Sequence, residues 1–82
     1  MKTDEFIKEQ EYLIDKWCTR KELNPLRHIL NGISSLNGLT DGLEEMLGEL
    51  QTIRSQYAQE IAEDEMEAVV KLIHATEAAL KR

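Results

Sequence analysis

Two histidines, one cysteine and sixteen carboxylates are the side chains of this sequence that could do chemistry. His74 shares a helical face with Glu67, Lys71, Glu77 and Lys81. Glu67–Lys71 and Glu77–Lys81 have the i,i+4 spacing of solvated ion pairs, with the acid first. That reads as a water-facing surface. A metal role with Glu77 is the competing reading. A carboxylate-bridged metal bundle needs Glu-x-x-His twice, and no Glu stands three residues before either histidine. HExxH is absent too. Two histidines and a cysteine far apart in sequence make no zinc site. No metal and no cofactor are expected.

His28 follows Arg27, off the main apolar stripe of its segment. General base and phospho-acceptor are its functional readings. An acidic residue directly after it would assist it as a nucleophile, but Ile29 stands there. Cys18, beside Trp17, reads as a half-buried packing residue, because a free thiol behaves as a small hydrophobe. Lys16, Arg20, Lys21 and Arg27 could depress its pKa, which is what a reactive thiol requires. The acidic run Glu63-Asp64-Glu65 lacks the Asp-x-Asp-x-Asp-Gly loop of a calcium site. No glycine-rich phosphate loop occurs, and paired carboxylates need a pocket that a thin domain hardly offers. The chain is therefore expected not to be an enzyme.

Helices must position these groups. The 82 residues suffice for one domain, 1–82, with a thin core. Phe6, Tyr12, Trp17 and Tyr57 are the only aromatics and Val69 and Val70 the only valines, so Leu, Ile, Met and Ala carry the packing. That composition favours helix over strand. In about 4–21, Phe6, Ile7, Leu13, Ile14 and Trp17 recur at helical spacing, with Gln10 on the same stripe. A second helix is expected to open at Asn24-Pro25, with Asn24 as cap, and to expose Arg27, His28 and Asn31. Leu26, Ile29, Leu30 and Ile33 form its apolar face, and Asn37-Gly38 ends it. Asp41 and Glu44 have capping-box spacing ahead of a third helix. Its seam, Leu43, Met46, Leu50, Ile53 and Tyr57, steps 3, 4, 3, 4.

Continued past Tyr57, that rhythm lands on Glu60, Asp64 and Glu67. Apolar residues resume out of phase at Met66, Val69, Ile73, Thr76 and Leu80. A turn near 59–64 and a fourth helix to about 81 follow, with Asp64 and Glu67 again at cap spacing. One long helix from Asp41 to Lys81 is the rival. The fourth helix has a second stripe, Ala68, Leu72, Ala75 and Ala79, to be buried by the first helix or by another chain. The expected fold is all-α: a small four-helix bundle, two shorter N-terminal helices packed on a C-terminal helical hairpin.

The net charge is −6, and the whole excess lies in residues 41–82. Such a surface repels phosphate backbones and anionic lipid. A single cysteine allows no internal disulfide, the acidic N-terminus does not resemble a signal peptide, and no apolar run spans a bilayer. A cytoplasmic location is expected, without membrane contact.

The leading functional expectation is a non-enzymatic protein–protein interaction module: a small acidic adaptor, chaperone-like or inhibitor protein. It would act as a homodimer or with a protein partner, touching it through Leu36, Leu39, Leu72, Ala75 and Ala79. The first alternative is a nucleic-acid-associated regulator. Its helix-turn-helix-like N-terminal half would present Arg20, Arg27, His28 and Asn31. The second is a small metal-binding helical protein or enzyme. Gly48, inside the third helix, marks either a close backbone approach or a tolerated flaw, at about 1 kcal/mol relative to alanine.

Overall fold

The structure, a computed structural model, describes residues 3–36 and 42–81. These form four α-helices and no strand: α1 (Thr3–Arg20), α2 (Leu23–Leu36), α3 (Gly42–Gln56) and α4 (Glu63–Leu80). A single 3-10 turn, Ala58–Glu60, separates α3 from α4. The chain thus turns after Tyr57 rather than running on as one helix. Ile61 and Ala62 are extended, and the side chain of Ile61 packs on the core. An apolar residue in that turn anchors a reversal that has no Gly or Pro to make it.

The first three helices each bury one stripe. α1 contributes Leu13 and Trp17, α2 Ile29, and α3 Met46, Leu50 and Ile53. α4 contributes Ala68, Val69, Leu72 and Ile73, so both of its stripes reach the core. It packs against α1 as well as α3. The second stripe of α4 is therefore covered within the chain, at least over Ala68 and Leu72.

Two glycines set how closely α2 and α3 approach. A Cβ on Gly32 would stand 2.4 Å from the Met46 sulfur and 3.3 Å from its Cα. A Cβ on Gly42 would stand 2.6 Å from the Ser35 carbonyl oxygen. Gly48 has nothing within 4 Å of that position, which favours the tolerated flaw of its two readings; the close approaches are at Gly32 and Gly42.

The α1–α2 corner differs from the cap expected at Asn24. Glu22 N–H donates to the Trp17 carbonyl (2.9 Å) and Lys21 N–H to the Cys18 carbonyl (3.3 Å). This is the paired closure of a Schellman motif. It puts Lys21 in the left-handed region, at φ 59°. The Glu22 carbonyl then accepts from Leu26 N–H (3.2 Å), which makes Glu22 the cap of α2. Pro25 still falls in the first turn, where its missing N–H leaves no helical bond unmade.

α4 likewise starts earlier than Asp64. Ala62 is its cap residue, and the Glu65 carboxylate accepts the Ala62 backbone N–H at 3.0 Å. This is half of a capping box, since alanine has no side-chain oxygen to return the bond.

Candidate functional site

The carboxylate of Glu65 is the most heavily engaged polar group of the bundle. The residue is 1 % exposed and sits where the buried stripe of α4 meets α1. It accepts from the Trp17 indole N–H (2.9 Å), from both terminal nitrogens of Arg20 (2.5 and 2.8 Å), and from Ala62 N–H. Burial pushes this carboxyl upward, but Arg20, Ala62 N–H and the Trp17 indole together outweigh it and hold it below the usual value. The bond to Glu65 raises the Arg20 guanidinium in turn. Beside it the Tyr12 hydroxyl donates to Asp64. That bond, with burial and the surrounding carboxylates, pushes Tyr12 up to about 12 and lowers Asp64. The whole cluster fastens α1 to the start of α4. Its acceptors are filled from within the chain, which makes it a clasp.

Arg20 is thereby committed to Glu65 and is not free to meet a phosphate backbone. His28 is committed too: its Nδ1 lies 2.5 Å from Glu49 Oε2 on α3, and the ring packs at 5.4 Å, tilted 37°, against Tyr57. Only Arg27 and Asn31 of the proposed nucleic-acid face stand exposed without such partners among the described residues. Carboxylates from α4 and α3 thus take up Arg20 and His28, two of the four residues foreseen for that face.

The residues foreseen as partner contacts are scattered. Leu72 is fully buried in the core, so it cannot meet a partner while the chain is folded. Leu36 is half-buried and packs on the same core. Ala75 and Ala79 are half-buried, Ala75 beside Lys71, His74 and Ala78 in a shallow recess. Leu39 lies outside the described residues. Cys18 is exposed rather than half-buried, and it borders a shallow groove with Tyr12 and Ile14. Among the described residues, no three His, Cys, Asp or Glu side chains converge as metal ligands would.

The larger apolar exposure is on α2. Leu23 is 67 % and Leu30 45 % exposed, and with Leu26 they line one groove whose other walls are Arg27 and Asn31. The core takes Pro25, Ile29 and Gly32 from this helix, leaving Leu23 and Leu30 on the far side. Leu23 was not among the expected contacts. The single face expected of Leu26, Ile29, Leu30 and Ile33 divides in the fold: Ile29 is buried and Leu26 and Ile33 pack on the core, whereas Leu30 joins Leu23 outside, and Leu23, Leu26 and Leu30 step 3 and 4. A helix needs one such stripe to reach a core, and α2 has two.

The fold and this surface define a four-helix bundle with a leucine-lined groove on its second helix. No family model, no curated protein and no solved structure matches the chain. No described helix is long and apolar enough to cross a membrane.

Proposed function

We propose that the chain is a non-enzymatic interaction module that docks an apolar helical segment of a partner protein along α2. The observation that carries this is the exposure of Leu23 and Leu30 beside Leu26, with Arg27 the charged residue among the described residues that line the groove. Leucines at helical spacing match the i, i+3, i+7 anchors by which amphipathic helices pair. Arg27 on the rim favours a partner with a carboxylate flanking its apolar stripe. A phosphate backbone finds little here, since Arg20 and His28 are held by Glu65 and Glu49 and the chain as a whole is acidic.

Covering what remains exposed of Leu23 and Leu30 is worth about 2–3 kcal/mol, or roughly 30- to 150-fold in Kd. The test is affinity capture from the native lysate with the wild-type chain and with the double variant Leu23→Glu, Leu30→Glu. A stoichiometric protein held by the wild type and lost by the variant supports the reading. Equal capture by both sinks it. Light scattering on the purified chain identifies the case in which the occupant is a second copy.

A further inference from the structure

We propose that His28 is a phosphoryl-accepting residue, modified at Nε2. The acid that the sequence lacks directly after this histidine is supplied across the bundle, by Glu49 on α3. A carboxylate 2.5 Å from Nδ1 fixes the proton on that nitrogen and leaves the lone pair of the neutral ring on Nε2. Nε2 makes no hydrogen bond to any described residue. The side chain is 18 % exposed, so the ring is held on one side and open on the other. Tyr57 packs against it and limits its rotation. Asn24 and Asn31, one turn before and after His28 along α2, are exposed.

The step balances simply. The Nε2 lone pair attacks the phosphorus of a phosphoryl donor with a good leaving group, such as phosphoramidate. The N–P bond to His28 forms as the donor's own P–N bond breaks, and that electron pair leaves on ammonia. The ring becomes an N-phosphorylated imidazolium that keeps its proton on Nδ1, where Glu49 balances the charge. Glu49 thus acts as a positioning residue: it orients the nucleophile and stabilises the positive ring. No oxidant or metal enters the balance.

His74 in the same chain is the internal control. It is exposed, whereas His28 is only partly so. A reaction governed by access alone labels His74 first. The experiment incubates the folded chain with phosphoramidate and follows each histidine over time by peptide mass spectrometry, avoiding acid, which cleaves the N–P bond. The expected result is phosphorylation of His28 at Nε2, about tenfold or more faster than His74. Glu49→Ala, with folding verified by Trp17 fluorescence, is expected to slow His28 to the rate of His74 or below. Nitrogen-15 NMR of the wild-type imidazole is independent of any variant and should find the proton on Nδ1. Labelling of His74 at the same rate or faster overturns the proposal. So does an unchanged His28 rate in Glu49→Ala, or a neutral ring with its lone pair on Nδ1.

Discussion

Removing the Glu65 carboxylate should loosen α1 from α4 more than any other single polar change. In Glu65→Ala the Trp17 indole N–H, buried with its residue at 0 % exposure, loses its acceptor. An orphaned buried donor costs about 1–3 kcal/mol. The void left by the side chain and the lost capping bond to Ala62 bring the total to about 3–5 kcal/mol. A domain of this length has only about 4–12 kcal/mol of stability in all. Trp17 is the only tryptophan and lies in the clasp, so urea unfolding followed by its fluorescence reports the site and the fold together. A midpoint change worth less than about 1 kcal/mol would refute the claim that this cluster holds the two helices together. A double-mutant cycle sharpens the test. Trp17→Phe, followed by circular dichroism, should cost less in the Glu65→Ala background than in the wild type, with a coupling of about 1–2 kcal/mol. The acid limb gives a second readout. The folded pKa of Glu65 lies below its unfolded value, so the unfolded chain binds more protons in that interval and stability rises with pH across it. The contribution is complete above about 4.5 and is lost as pH falls through the lower folded value. Glu65→Ala should lack that part of the acid transition.

Gly48→Ala should stabilise the chain by about 1 kcal/mol, since a Cβ there meets nothing, while Gly32→Ala should destabilise it against Met46; thermal melts of the pair decide both signs. Lys21→Gly should raise stability by about 1 kcal/mol, because the left-handed position that closes α1 strains any residue with a Cβ; an unchanged or lower melting temperature contradicts this. Tyr12 holds its proton from its ordinary 10 up to about 12 in the folded chain, so alkaline stability should decline across that window. Tyr12→Phe should abolish this decline in a pH series of urea melts.

Most of the fold was legible because its signals are local. The seams of α3 and α4 run out of phase on either side of Tyr57, and that mismatch alone locates the reversal. α2 and α4 both open ahead of the residues whose chemistry suggests a cap. Asn24 and Asp64 have the chemistry of caps, but the structure caps α2 with Glu22 and α4 with Ala62. At α2 the Schellman closure of α1 leaves no residues between the helices for a separate loop. At α4 the buried contact of Glu65 with Trp17 and Arg20 fixes the register, and tertiary contact outranks local cap preference. Glu65 itself could have been found. Stepping back from Leu72 through Ala68 reaches it on the buried face, and a carboxylate there requires partners.

What the sequence conceals is which charges are already paired. Arg20 and His28 look like free cationic groups when read along the chain, because Glu65 and Glu49 are 45 and 21 residues away. Their pairing changes the functional reading twice over. It takes Arg20 out of the basic face that a nucleic acid would need, and it sets His28 against Glu49 and Tyr57 rather than on an unsupported surface. The apolar groove at Leu23, Leu26 and Leu30 carries the opposite lesson. Periodicity reports that a helix has an apolar face, but the number of faces the core can absorb depends on how the helices stack. Gly32 brings α3 so close to α2 that the core takes the Pro25–Ile29–Gly32 side and the inner edge of Leu26, and leaves Leu23 and Leu30 outside. The same small residue that tightens the bundle thus turns α2 outward, which is why the docking surface proposed here lies on α2 and not on the alanine stripe of α4.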